Sequence, residues 1–354
     1  MNASRPTEDD WRSLLSLASP TEERNPRTGT IDLLDSAELV RLITAEDRTV
    51  TEAVAAVQAP LAALVDLAVQ AIRAGGRVHY VGAGTSGRLG VLDAAELAPT
   101  YGVGTEWFVA HLAGGPSAMV TAVEGAEDDP ALGAAAVADI GATDLVVGIA
   151  ASGRTPYVAG ALEHARAVGA RTALVSANPG ATLARLADVA VLVDTGPEVV
   201  TGSTRMKAAT AQKLVLNTFS TATLVRLGRT FSNLMIDVRA TNRKLRARTV
   251  RMLVQATGRP APDCERALLD AGQDVRTALV TLLADVDPDT ARAALDRAVD
   301  PDRGPDPSGV RTAVAALTGT PFPVADHAGS TAPGGNAPSN RPIGAADTAG
   351  SPVT

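Results

Sequence analysis

Apolar residues recur along this chain at two spacings, and the two alternate through its middle. From Ile31 to Ala74 the positions Leu33, Leu34, Leu39, Leu42 and Ile43, then Val54, Val57, Leu61, Leu64, Val65, Leu67 and Ala68, follow helical spacing. Short apolar runs that suit strands come next, at 77–82, 107–112, 144–149, 171–176 and 189–194. Between and after them, helical spacing returns at 86–97, 116–126, 156–168, 181–187 and 204–228. Such alternation predicts an α/β fold, a mostly parallel sheet flanked by helices on both faces. Residues 243–300 read as all-helical around 250–256, 264–270 and 275–283, with breaks rich in Gly, Pro and Asp. They predict a small three-helix module. Residues 1–30 are polar and interrupted by Pro20 and Pro26, which predicts an extended arm. The stretch 318–354 is dominated by Gly, Pro, Ser, Thr, Ala and Asn, buries too little apolar surface to offset ordering, and is expected to be disordered.

Composition narrows the function. At 354 residues there is room for one large domain and a small one. Apolar residues are 45 % and aromatics only 3 %, so the core must be packed from Ala, Val, Leu and Ile. A net charge of −7 argues against nucleic acid as the main partner. Cys264 is the only cysteine, so neither a disulfide framework nor a cysteine metal site is available. The sequence has no charge-free apolar run of membrane-spanning length, and Met1–Asp10 lacks the apolar block of a signal peptide. A cytoplasmic enzyme or binding protein is the expectation, with no membrane partner.

The densest chemistry lies in Arg77-Val-His-Tyr-Val-Gly-Ala-Gly-Thr-Ser-Gly-Arg88, an apolar strand entering a glycine-rich turn and then a helix. Gly84, Thr85, Ser86 and Gly87 would offer backbone N–H groups, hydroxyls and a helix N-terminus to an anion. Gly82–Gly87 also fits the dinucleotide fingerprint, but the second strand runs into Ala113-Gly-Gly115 without the acid that would hold a ribose. Thr85 and Ser86 suit a monophosphate better; the plainer alternative is a tight turn with a capping Ser. A similar arrangement returns in Val146-Val-Gly-Ile-Ala-Ala-Ser-Gly-Arg-Thr155, where Ser152, Gly153 and Thr155 could hold an anion or simply start a helix at Pro156. A third loop, Thr201-Gly-Ser-Thr-Arg-Met-Lys207, offers Ser203 or Thr204 as a cap, and Arg205 and Lys207 could meet an anion or lie on a solvated face. Two cradles after two strands suggest a sugar phosphate at the carboxyl edge of a parallel sheet.

The remaining chemistry is acidic. Glu96 closes the helix that begins at the first cradle. Glu124 and Glu127, in Ala122-Val-Glu-Gly-Ala-Glu-Asp-Asp129, would share one helix face. Four acids at a helix C-terminus are opposed by the macrodipole, so the cluster is either functional or a solvated turn. His79, His111, His164 and His327 lack metal-ligand spacing, and His79 and His111 are expected in the core or at strand ends. No nucleophile elbow or Ser–His–Asp set is present, which leaves acid–base work by carboxylates.

These blocks resemble the N-acetylmuramic acid 6-phosphate etherases of the sugar isomerase (SIS) superfamily, from about Thr21 to about Val299. The resemblance rests on Val81–Gly90, Pro99-Thr-Tyr-Gly102, Ala122–Asp128, Val147–Tyr157, Gly202–Lys207 and Asn233-Leu-Met. It implies a SIS-type sheet domain over 68–231, preceded by N-terminal helices at 31–74 and followed by a helical module at 243–300. It further implies cleavage of the D-lactyl ether by elimination and water addition, without a cofactor, in cell-wall sugar recycling. Glu96 falls at the family's proton-donor position and Glu127 at its other active-site position; Glu124 is expected to bind sugar hydroxyls. Around Glu96 the chain reads Asp93-Ala-Ala-Glu-Leu-Ala-Pro99, where relatives often carry Ser, Cys and Pro at 95, 97 and 98. A homodimer is expected, with the arm and residues 31–74 reaching across to the site. The alternatives are a phosphosugar sensor without activity and an aldose–ketose isomerase; neither would release lactate.

Overall fold

The computed structural model describes residues 19–238, 243–298 and 309–320. The arm before Ser19 and the tail from 321 onward therefore lie outside the described residues. All five expected strands form: β1 (Val78–Gly82), β2 (Phe108–Leu112), β3 (Leu145–Ile149), β4 (Arg171–Ser176) and β5 (Val189–Leu192). They pair in parallel in the order β2-β1-β3-β4-β5, with Gly82 opposite both Leu112 and Ile149. Every residue of β1 and β3 is buried, which is why these strands read as continuous apolar runs.

Two helices precede the sheet, α1 (Ser36–Ala55) and α2 (Gln58–Arg73). Asp35 starts α1 with a reciprocal capping box to Glu38. The sheet's own helices are α3 (Gly84–Tyr101), α4 (Pro130–Ala136), α5 (Pro156–Ala167) and α6 (Lys207–Arg226). On one face Tyr80, Phe108, Val147 and Val175 pack with Leu64 and Ala68 of α2, Leu97 of α3, and Leu216 and Phe219 of α6. On the other, Val81, Val146 and Leu174 pack with Val158 and Leu162 of α5. Successive strand residues thus serve opposite cores, as the pleat requires. The helices that follow β1 and β3 fall on opposite faces. The point where the winding reverses lies between those two strands, the position at which open parallel sheets leave a crevice.

Three expectations need correction. No helix spans 116–126: a 3-10 turn covers Pro116–Met119 and an irregular loop follows. Gly125 adopts φ +73°, and Asp129 accepts from the N–H groups of Ala131 and Leu132, so the acidic run starts α4 instead of ending a helix. The segment at 181–187 forms only a 3-10 turn, Thr182–Leu186. Beyond the sheet domain, a short hairpin of β6 (Thr230–Phe231) and β7 (Leu234–Met235) leads to α7 (Arg243–Thr257), α8 (Ala261–Asp270), α9 (Val275–Ala284), α10 (Pro288–Ala298) and α11 (Gly309–Thr318). The module thus has more than the three helices expected. α10 escaped notice because the residues it buries are Ala291 and Ala294, too small to stand out as an apolar stripe. These helices share a core of their own around Leu253, Leu268, Leu279 and Val314. Among the described residues no single helix is long and apolar enough to cross a membrane.

Candidate functional site

The first cradle is set by close approach between β1 and α3. A Cβ on Gly87 would stand 2.4 Å from the Gly82 carbonyl oxygen and 2.5 Å from Leu112 Cδ1, so only glycine lets the helix begin this near the strand. Ala83 occupies the N-cap position and offers no side-chain acceptor. The first N–H groups of α3 have no partner within the helix, and they face the carboxyl edge of the sheet. Thr85 is half-buried, whereas Ser86 is buried and donates from Oγ to Gln212 Oε1 on α6 at 2.9 Å. Two turns further, α3 is fixed again. Asp93 is 3 % exposed and accepts from Tyr80 Oη at 2.9 Å, Asn217 Nδ2 at 2.6 Å and Ser220 Oγ at 3.1 Å. Burial raises its pKa, against the lowering effect of those three donors. Glu96, one turn beyond Asp93, is exposed.

The second cradle is built around Gly153. Its φ of +69° and a would-be Cβ 2.2 Å from Ala181 Cβ both demand glycine. Asn178 Nδ2 donates to the Ser152 carbonyl at 3.0 Å and Ser176 Oγ to the Ala151 carbonyl at 3.1 Å, so the end of β4 shapes the loop that follows β3. Thr155 sits at the N-cap of α5 without using its side chain as a cap. The acidic loop joins here: Tyr157 N–H donates to the Glu127 carbonyl at 2.9 Å. Glu127 is thereby held at the start of α5. Glu124 and Glu127 are exposed and lie in a loop, so the shared helix face and the opposed dipole do not apply.

The third loop is anchored from below. Glu198 is fully buried and accepts the backbone N–H groups of Lys207 and Ala208, each at 3.0 Å, at the start of α6. The Lys207 ammonium, which sequence reading offered to an anion, is 1 % exposed and meets Glu46 Oε2 of α1 at 3.1 Å. Arg27 and Asn25 also donate to Glu46, whose pKa falls to about 2, chiefly through the Arg27 hydrogen bond. Residues 19–30 run along this loop: Thr28 Oγ1 donates to the Val199 carbonyl at 2.9 Å and Gly202 N–H to the Thr21 carbonyl at 3.1 Å. Ser203 is half-buried above these anchors.

Because β1 and β3 are neighbours, roughly 5 Å apart as paired strands, the loops that follow them stand side by side across the reversal point. Sequence reading missed the residues that hold them, namely Asp93, Asn178 and Gln212, and it missed Glu198 beneath the third loop. The first three pair with Asn217, Ser152 and Ser86, which lie 124, 26 and 126 positions away, so no local pattern signals them. His79 and His111 pair with each other across β1 and β2. His79 Nδ1 is 3.0 Å from His111 Nε2, and burial lowers the His79 pKa to about 4. His111 lines a cleft of about 590 Å³ beside β2, with Leu112, Met119, Leu132 and Tyr157.

Comparison with known proteins agrees with this architecture. Residues 60–166 match the family model for the glucokinase regulatory protein N-terminal SIS domain, and residues 118–222 match that for the SIS domain. The chain is 58 % identical over 265 residues to the N-acetylmuramic acid 6-phosphate etherase of Thermobifida fusca strain YX, covering 75 % of this chain and 87 % of that protein. Proteins of the same name are 51 % identical in Mesorhizobium japonicum (78 % of this chain, 91 % of that one) and 52 % identical in Pectobacterium atrosepticum (78 % and 91 %).

Proposed function

The chain belongs to the N-acetylmuramic acid 6-phosphate etherase family, and on that premise we propose that it cleaves the D-lactyl ether of N-acetylmuramic acid 6-phosphate. The products are N-acetylglucosamine 6-phosphate and D-lactate, and no cofactor takes part. The single observation that carries this reading is the pair of adjacent glycine-shaped loops at the reversal of the sheet, with Glu96 on the helix that leaves the first and Glu127 tied through its carbonyl to the start of the helix that leaves the second.

The phosphate lies against the backbone of Gly84–Gly87 with Thr85 and Ser86, and against Ser152, Gly153 and Thr155. Ser203 adds a hydroxyl from the third loop. Lys207 enters as the anchor of that loop through Glu46, not as a direct ligand. With the sugar open to its aldehyde form, the C2 proton is acidic. Glu127 removes it, the electron pair forms the C2–C3 double bond, and the C3–O bond breaks. Glu96 protonates the departing lactate oxygen, which leaves poorly as an alkoxide. Water then adds at C3 as a proton returns to C2. Glu124 binds sugar hydroxyls.

Glu96, Glu124 and Glu127 are exposed in the single chain, whereas proton transfer of this kind gains from exclusion of water. That contrast supports a homodimer in which the second copy covers the site, in the cytoplasm where cell-wall sugars are recycled. A fully active monomer in sedimentation would contradict the dimer. Lactate release by wild type beside Glu96→Ala and Glu127→Ala tests the reaction. Each variant should lose about 10²–10⁴ of the rate, and activity surviving in both would overturn the assignment. A wild type that binds the phosphosugar and releases no lactate would be a sensor, or an isomerase if the sugar is interconverted.

A further inference from the structure

Gln212 lies in the second turn of α6, 2 % exposed, with its side chain against the first turn of α3. Its Oε1 accepts the Ser86 hydroxyl at 2.9 Å. Its Nε2 is buried and has no hydrogen-bond partner among the described residues. A buried amide with one half engaged and the other idle is costly, because N–H groups removed from water are almost always paired. The idle half lies beside the one buried hydroxyl of the first cradle.

Hydrogen-bond valence gives this pair a direction. A hydroxyl has one proton to donate and two lone pairs with which to accept. In the structure the Ser86 proton is spent on Gln212 Oε1. A phosphate dianion is an acceptor only, so Ser86 can hold it only by turning its proton towards the anion. Oγ then offers Gln212 a lone pair, which Oε1 cannot use and Nε2 can. The carboxamide has nearly the same outline either way round, so it turns over without disturbing the packing of α3 on α6. The atom left idle afterwards is a carbonyl oxygen, which proteins leave under-satisfied more readily than an N–H.

We propose that Gln212 is a positioning residue for the substrate phosphate, reversing its hydrogen bond with Ser86 so that the Ser86 hydroxyl donates to the anion. This rests on the reading of Gly84–Gly87 as the phosphate cradle and adds to it a residue from another helix. Asp93, another buried polar group between these helices, has three donors and lacks this freedom.

The test uses Gln212→Met, which keeps the length and removes the amide, and Gln212→Glu, which keeps the shape but can only accept when ionised. Both are assayed for lactate release and for competitive inhibition by inorganic phosphate. Gln212→Met should raise KM and the phosphate inhibition constant about fivefold to tenfold while kcat stays within about twofold, and Ser86→Ala should add little to it because the pair acts as a unit. Gln212→Glu should raise both constants by more than tenfold at pH 8. Relative to wild type at each pH, it should recover as pH falls, since a protonated carboxyl can donate to Ser86 Oγ. A purely structural role would show no such recovery. Wild-type KM in both variants, or a Gln212→Glu defect independent of pH, would overturn the proposal. Should Gln212→Met fail to fold, the pH profile of Gln212→Glu decides alone. Should wild type release no lactate, the proposed reaction falls, while phosphate affinity measured by calorimetry still reads the pair.

Discussion

Three buried residues, Glu46, Lys207 and Glu198, do more to hold the third loop than any residue that faces it. Glu46 accepts from three donors, Asn25, Arg27 and Lys207; of its two cationic partners Arg27 is exposed and Lys207 is buried. Removing Glu46 or Lys207 leaves a different remainder. Glu46→Gln strands a buried ammonium and should cost about 3–5 kcal/mol of stability. Lys207→Met leaves Glu46 with Arg27 and Asn25 and should cost clearly less. Chemical denaturation of the two variants checks this order, and equal losses would contradict it. These residues also show where sequence reading stops. Lys207 is visible as a basic residue near a glycine loop, but nothing local indicates that its partner lies on α1, 161 positions earlier. Gln212 is equally silent, because its meaning depends on Ser86, 126 positions away.

At the scale of elements, sequence pattern served the strands best. β1 to β5 fall within the expected runs because buried parallel strands are short, apolar and bounded by Gly, Asp and Asn. Helices were legible where their buried face carries Leu and Val, as in α2, and were missed where it carries Ala, as in α10. The acidic segment misled because Glu124 and Glu127 have helical spacing while Gly125 at φ +73° and Pro130 break it. Both cradles depend on glycines that do different jobs. Gly153→Ala forces a left-handed backbone, at about 1–3 kcal/mol, and a clash with Ala181 besides. It should lower the melting temperature and raise KM together. Gly87→Ala leaves its helical backbone unstrained and instead pushes α3 away from Gly82 and Leu112. Its loss should fall on substrate binding more than on the C-terminal helices, which hydrogen exchange can resolve. Equal loosening of α7 to α11 would contradict that.

For the whole molecule, His79 and Glu46 each add a pH dependence to stability. His79 is held neutral with a pKa of about 4, below its usual 6.5, chiefly by burial. The unfolded chain binds this proton more readily, so stability is full above pH 6.5 and falls as pH drops towards 4. Glu46 is held ionised with a pKa of about 2, below 4.5, so its contribution is full above pH 4.5 and is lost as pH falls towards 2. Unfolding free energy should therefore decline in two overlapping windows. His79→Asn should flatten the upper one and leave the lower one in place; an unchanged slope between pH 6.5 and 4 would exclude His79 as its cause. The sheet order brings β1 and β3 together, and with them two loops far apart in the chain that sequence alone could only compare by likeness. On that adjacency the account rests. Its most direct test is lactate release from N-acetylmuramic acid with and without the 6-phosphate, by wild type and by a Ser86→Ala/Ser152→Ala double variant. The account predicts that wild type strongly prefers the phosphorylated sugar and that the double variant loses this preference through KM. Equal turnover of both sugars by wild type, or a preference untouched by the double variant, would contradict it.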